Sequence, residues 1–247
     1  MKAVPGLFLA SLLAAQSPAQ SPARIAYACP SADIDSFGLA CSADEPCSVF
    51  LELAAADAVG ATVFLAGNLH TQSATLRSIL LASDDGGKTW TEPFQRIRAA
   101  ALDQIQFSGF ANGWVSGQII EPLPRDPFLL VSTDGGKTWR ERPVFEESRF
   151  GSLADFWFES PASGELVIEH SERGAVKHEV YQTKTGGDSW EVKEITGQPV
   201  NLKGRPKEES SWRIRTDAAS KTYRLERRSA AGWDLIASFL IHVADCK

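Results

Sequence analysis

The chain has 247 residues, a formal net charge of −6, and 43% hydrophobic against 23% charged residues. That balance suits one compact globular domain, and an acidic chain is a poor nucleic-acid binder. Beyond the N-terminus no stretch supplies the ~20 apolar residues that a membrane-spanning helix needs.

At the start, Lys2, the apolar run Val4 to Ala15 and the small residues Ser17-Pro18-Ala19 have the layout of a secretory signal. Residues 1–19 are therefore expected to be removed, leaving 20–247 as a single domain, secreted or periplasmic. The four cysteines, Cys29, Cys41, Cys47 and Cys246, all lie in that part. An even count in an exported chain favours disulfides over metal ligation, and no C-x-x-C pair is present. Three pairings are possible. The favoured one staples a loop through Cys41–Cys47 and ties the chain ends through Cys29–Cys246. Asp33, Asp35, Asp44 and Glu45 read as solvated acids.

Arg24 to Ala28 reads as a terminal strand. A first unit, 48–96, holds strands at Ser48 to Leu51, Thr62 to Ala66, Ser78 to Ala82 and Trp90 to Phe94, with the octet Ser83-Asp84-Asp85-Gly86-Gly87-Lys88-Thr89-Trp90 before the last. A second, 100–146, holds Gln104 to Phe107, Trp114 to Ser116, Phe128 to Val131 and Trp139 to Val144, with Ser132-Thr133-Asp134-Gly135-Gly136-Lys137-Thr138-Trp139 in the same place. A third, 152–196, holds Asp155 to Phe158, Glu165 to Ile168, Glu179 to Tyr181 and Trp190 to Ile195, around Thr183-Lys184-Thr185-Gly186-Gly187-Asp188-Ser189-Trp190. A fourth, 199–238, reads as Pro199 to Leu202, Trp212 to Arg215, Tyr223 to Glu226 and Trp233 to Ile236. Ser229 to Trp233 stands there where the octet would be. Leu240 to Val243 reads as a last terminal strand. A period of about 50 residues marks a repeat architecture, here all-β with four units of four strands.

Each octet lies between two strand-like runs and so reads as a hairpin. Short Ser and Asp side chains close a turn by bonding nearby backbone, and glycine supplies a positive φ. The tryptophan opens the next strand and buries a large apolar face. Ser83, Asp85, Gly87, Thr89 and Trp90 form one such turn, and Ser132, Asp134, Gly136, Thr138 and Trp139 a second. The third copy keeps Gly187 and Trp190 but has Thr185 in place of the aspartate.

The octet resembles the Asp-box, or BNR repeat. The resemblance implies a β-propeller of four-stranded blades, with the box between third and fourth strands on the rim, away from the central site. That family includes sialidases, other secreted glycosidases, sortilin-type receptors and photosystem II assembly-factor propellers. The run from Phe107 to Gly117 also resembles the phenylalanine and glycine-tryptophan pattern of the last group, and that likeness covers roughly residues 48–196. Its members have seven blades and sialidases six, whereas this chain has room for about four. Open edge strands invite association. A strand from one terminus completing a blade at the other would hide them, and a Cys29–Cys246 bond would lock the closure.

The sialidase resemblance implies a tyrosine nucleophile paired with a glutamate, an aspartate, three arginines and an Arg-Ile-Pro signature. Arg24-Ile25-Ala26 lacks the proline, and no Glu or Arg constellation is legible around Tyr27, Tyr181 or Tyr223. His70, His170, His178 and His242 are dispersed, with no His-Glu-x-x-His motif and no Gly-x-Ser-x-Gly elbow. No catalytic residue, cofactor or metal is expected. Asp103 and Asp155 precede the first strands of the second and third units and Glu52 ends that of the first; they either ring one mouth of the channel or satisfy backbone at strand starts, and the second reading is preferred. The aromatic run Phe156-Trp157-Phe158 is expected in the core. Residues 203–228 are rich in basic side chains, including Lys203, Arg205 and Lys207. Arg213 and Arg215 share one strand face by alternation, and with Arg224 and Arg227 they are candidate partner-binding residues for an unknown protein or anionic glycan. The alternative is a solvated outer face. The expected function is an exported, non-catalytic binding or assembly scaffold, with a sialidase-like glycoside hydrolase as the alternative.

Overall fold

A computed structural model of the chain describes residues 21–202 and 210–247. The expected signal segment, and Lys203, Arg205 and Lys207 of the basic run, lie outside the described residues. The chain is a four-bladed β-propeller. The first blade holds β1 (Cys47–Val59), β2 (Thr62–His70) and β3 (Thr75–Ser83). The second holds β4 (Ala100–Ser108), β5 (Asn112–Ile120), β6 (Pro124–Ser132) and β7 (Arg140–Pro143). The third holds β8 (Ser152–Phe158), β9 (Gly164–Glu172), β10 (Ala175–Thr183) and β11 (Glu191–Thr196), and the fourth β12 (Trp212–Asp217), β13 (Thr222–Ser229) and β14 (Gly232–Leu240). Each blade is an antiparallel meander. β2 and β5 are buried along most of their length because neighbouring blades cover both faces, whereas the outer strand β11 is exposed throughout except at its last residue.

The octets are self-satisfied turns. Asp134 accepts the Ser132 hydroxyl at 2.9 Å, the Thr138 N–H at 3.0 Å and the Thr138 hydroxyl at 2.7 Å, while Ser132 Oγ accepts the Gly136 N–H at 2.8 Å. Trp139 Nε1 then donates to the Gly136 carbonyl at 2.9 Å. Ser83, Asp85, Gly87, Thr89 and Trp90 repeat the same bonds. In the third copy the Thr185 hydroxyl oxygen replaces the carboxylate and accepts the Ser189 N–H at 3.0 Å.

These turns also fix the order of the ring. A Cβ added to Gly136 would lie 2.3 Å from the Phe64 ring of the first blade, so the second octet seats on the blade before it. Gly187 likewise faces Leu129 of the second blade, and Gly87 of the first blade faces Ile236 of the fourth. Three buried cores fill the same seams. Phe64, Leu102, Val115 and Leu130 join blades one and two. Trp114, Leu129, Phe158 and Tyr181 join two and three. Leu51, Leu65, Leu225 and Phe239 join four and one.

The chain ends cross over. β15 (His242–Cys246) pairs with the start of β1, giving the first sheet the order β15-β1-β2-β3. Ala23 forms a parallel bridge to Phe239 on the outer edge of β14. The disulfides join Cys29 to Cys246 and Cys41 to Cys47.

Several expected strands are corrected. Trp90 to Phe94 is reduced to a bridge between Thr91 and Ala82. Pro199 to Leu202 forms no strand; Leu202 and Val200 pack against Val167 and Val180 as irregular chain, so the fourth blade begins at Trp212. Its own sheet has three strands, with Ala23 in the outer place. Ser229 to Trp233 joins second to third strand and is not an octet position. Arg24 to Ala28 is not a strand, and the final strand starts at His242. A short helix, α1 (Ser31–Ser36), precedes β1. Asp33 in it is fully buried rather than solvated.

Candidate functional site

Inner strands β1, β4, β8 and β12 converge on a central cavity of about 700 Å³, lined among others by Asp57, Asp103, Phe107, Trp157, Arg213 and Tyr223. β1, β4 and β8 each carry a bulge whose extra residue is Ala54, Asp103 and Ala154 respectively. A bulge re-aims the side chain at its extra residue. The bulge thus recurs with the octets, and the second blade alone places a carboxylate there. Burial and the neighbouring charge of Glu52 push the Asp103 carboxyl up to about 6. Gln118 Nε2 donates to Asp103 at 3.2 Å, and Asn68 Nδ2 donates to Glu52 at 2.9 Å. Asp57 accepts the N–H groups of Ala58 and Phe107 and stitches the first blade to the second. Burial raises its pKa against those bonds.

The three acids therefore do not form one ring. Glu52 and Asp103 act on each other, whereas Asp155 lines a separate cavity of about 330 Å³ with Glu169 and His178. Phe156 and Phe158 are in the core and Trp157 turns the other way, and both Phe156 and Trp157 line the central cavity.

Two tyrosines have the carboxylate and arginine partners that sequence reading missed. Tyr181 donates to Glu179 at 2.5 Å, and Arg149 donates to Tyr181 at 2.7 Å and to Glu179 at 2.6 Å. Glu179 and Tyr181 alternate on β10, a legible signal, but Arg149 arrives from the loop before β8. Tyr27 donates to Asp33 at 2.6 Å, and Arg77 donates to the same carboxylate. Neither cluster reaches the central cavity. Burial and the adjoining carboxylate push the Tyr181 phenol up to about 12 and raise that of Tyr27 as well. Both therefore remain protonated and serve as fastenings. Tyr223 lines the channel, and burial together with the Glu52 charge raises its pKa.

The candidate arginines divide. Arg213 donates to Glu226 at 2.6 Å and lies 4.1 Å over the Trp233 ring. Arg224 is 3.4 Å from the same buried glutamate. Arg227 lies 5.8 Å from the Trp212 ring centre, on the opposite face of the sheet. Arg215 is exposed and pairs directly with Arg224 across β12 and β13. Arg213, Arg215 and Arg224 thus share the sheet face turned away from the first blade. Among the described residues, no group of three or more His, Cys, Asp or Glu side chains is placed to hold a metal ion.

No protein-family model matches this sequence, and no curated protein matches it. Among solved structures, the chain is similar to an ulvan lyase, a polysaccharide lyase, at 9% identity and a TM-score of 0.43, over 78% of this chain and 51% of that one. It is similar to YCF48 from Cyanidioschyzon merolae at 16% identity and a TM-score of 0.34, over 76% and 71%. It is similar to a Penicillium chrysogenum α-L-arabinanase complexed with arabinobiose at 11% identity and a TM-score of 0.41, over 79% and 62%. The chain spans about half the length of the lyase. Likenesses this distant carry no argument about activity.

Proposed function

We propose that residues 20–247 form an exported, non-catalytic β-propeller that acts as a binding or assembly scaffold, with residues 1–19 as its signal peptide. The octets are Asp-boxes with a structural role, supported by the serine, aspartate and threonine side chains and the indole N–H of the first two copies, all of which bond within the turn. Two disulfides support an oxidising compartment. One observation carries the binding role: Arg215 and Arg224 face each other across neighbouring strands. Like charges so placed destabilise a sheet, and an anionic partner, protein or glycan, would relieve them. Arg213 contributes to the same surface, while Arg227 belongs to the opposite face. The test is affinity capture from the envelope fraction of the source cells, comparing wild type with the Arg215→Glu/Arg224→Glu variant. Selective loss of a captured partner supports the reading; identical recovery removes the arginine surface from it.

A sialidase-like glycoside hydrolase is the second reading, favoured by Asp103 alone. A carboxyl held near 6 beside a second acid has the protonation a general acid needs, and Tyr223 shares its cavity. Turnover of a fluorogenic glycoside that disappears in Asp103→Asn would establish it. No turnover on a broad panel would end it.

A further inference from the structure

The two disulfides meet at one place in the fold. Cys47 is the first residue of β1 and Cys246 the last of β15, and the two stand directly opposite each other in the antiparallel pair. Opposite residues of such a pair point to the same face of the sheet, with Cα atoms about 4.5 or 5.5 Å apart. Both spacings lie within the ~4.4–6.8 Å that a disulfide spans. Cys47 is nevertheless bonded to Cys41, and Cys246 to Cys29. All four cysteines belong to one apolar cluster with Leu51 and Phe239. The strand register thus holds a third pairing, Cys47 with Cys246, within reach and without any slip of β15 along β1.

The four sulfurs differ in access and in strain. Cys246 is fully buried, whereas Cys29, Cys41 and Cys47 are half-buried and the loop from Ser42 to Pro46 is exposed. A thiol in solution therefore reaches the Cys41–Cys47 bond more readily than Cys246 Sγ. Cys29 has a φ of +49°, a left-handed backbone that disfavours an L residue. The native pairing includes that strained position, and a Cys47–Cys246 bond does not require it. Loop length favours the same direction. The bond given up, Cys41–Cys47, spans 6 residues and constrains the unfolded chain least, while Cys47–Cys246 still ties one end of the chain to the other.

We propose that Cys41–Cys47 is a thiol-exchange site, through which a small thiol re-pairs the chain ends as Cys47–Cys246. The thiolate attacks Cys41 Sγ, forms a mixed disulfide there and expels Cys47 as a thiolate. Cys47 Sγ then attacks Cys246 Sγ. The Cys29–Cys246 bond breaks, its electron pair leaves on Cys29 Sγ, and Cys29 takes up a proton. A second thiol attacks the mixed disulfide and frees Cys41. Two small thiols are oxidised to one small disulfide, and their protons end on Cys29 and Cys41. In the product β15 remains tied to β1. The N-terminal segment keeps only non-covalent fastenings, among them the Ala23 backbone bonds to Ser238 and Leu240 and the Tyr27 bond to Asp33. A thiol without carboxylates suits the site, because Asp44 and Glu45 lie in the exposed loop and repel an acidic one. This inference goes beyond the scaffold reading and does not depend on the arginine surface.

The test incubates the mature, disulfide-bonded chain with mercaptoethanol under native conditions and quenches it by alkylation. Mass spectrometry of non-reduced peptides then maps the linkages. The Cys29–Cys246 peptide is expected to decline as a Cys47–Cys246 peptide takes its place, with Cys29 and Cys41 alkylated. Alkylated Cys41 and Cys47 beside an intact Cys29–Cys246 bond would overturn the proposal. So would loss of both native bonds with no Cys47–Cys246 peptide formed. Two variants reach the same step without a reductant. Cys41→Ser leaves the Cys47 thiol opposite an intact Cys29–Cys246 bond, and the free thiol is expected to move to Cys29. Cys29→Ser leaves the Cys246 thiol opposite Cys41–Cys47, and the free thiol is expected to move to Cys41. Thiols that stay on Cys47 and Cys246 in the folded variants would overturn the exchange. Where a variant does not fold, the wild-type map decides alone, since it needs no substitution.

Discussion

Asp134 shows how one exposed carboxylate organises a turn. It is the common acceptor for Ser132 and for both donors of Thr138, and those bonds hold its pKa at about 2, below the ordinary 3.8. Asp85 is lowered for the same reason. Because the folded pKa is depressed, the stabilisation is complete above about pH 4 and is lost as pH falls toward 2. Asp134→Asn is expected to lower the melting temperature by about 3 °C at pH 7 and to shrink the acid-induced loss between pH 4 and 2, read from thermal melts at both ends of that window. Thr185→Asp is the mirror experiment. It completes the third turn, so it should raise the melting temperature at pH 7 and confer nothing at pH 2. Asp103 has the opposite sign. Burial and Glu52 raise its pKa to about 6, so the folded chain binds the proton more tightly than the unfolded one. Stability therefore falls as pH rises from about 4 to 6. Asp103→Asn should remove that slope and gain about 1–2 kcal/mol at pH 7, measured as urea midpoints at pH 4 and 7.

At the scale of the element, an octet glycine and a hairpin glycine separate two physical demands. Gly136 and Gly174 have nearly the same φ, +82° and +81°. A Cβ on Gly136 would meet the Phe64 ring, whereas one on Gly174 would meet nothing within 4 Å. Gly174→Ala should cost about 1 kcal/mol, the left-handed backbone term alone. Gly136→Ala should cost at least about 2 kcal/mol more, because the first blade must move; denaturant midpoints of the two variants read the difference. This contrast also explains what the sequence made legible. The octets could be read because their chemistry is local: an acceptor, a glycine and an indole within eight positions. The bulges at Ala54, Asp103 and Ala154 could not, because an extra residue is defined only against the partner strand. Val200 and Leu202 gave a strand's apolar signal, yet they are buried as loop against Val167 and Val180. Trp233 was matched to an octet tryptophan, but its ring is held by Arg213 and not by a turn carbonyl. Half of the Tyr181 fastening, its alternation with Glu179, was present on one strand, but the guanidinium from a distant loop was not.

For the whole molecule, the question is what keeps a ring of four blades shut when, among the described residues, the seam between the third and fourth blades has no core drawn from both. The ends answer it at the neighbouring seam, between the fourth and first blades. β15 lies on β1 with Cys246 opposite Cys47, Ala23 lies on β14, and Cys29–Cys246 joins the two crossings. That bond spans 217 residues of sequence, whereas Cys41–Cys47 spans 6. In the chain-entropy account the long loop is worth about 5 kcal/mol and the short one about 2. Cys29→Ser/Cys246→Ser should therefore lower the guanidinium midpoint well beyond Cys41→Ser/Cys47→Ser, with both proteins kept non-reduced. Hydrogen exchange should locate the damage, with protection lost first in β14 and β15 while β4 to β10 remain closed, because the seams on both sides of the second blade keep their octets and cores. If both variants lost the same stability, the covalent tie would be dispensable, and the apolar contact of Leu51 and Leu65 with Leu225 and Phe239 would carry the closure by itself. The larger loss is expected because that core can hold blades four and one together only after the ends have met, and the disulfide is what keeps them from separating in the unfolded chain.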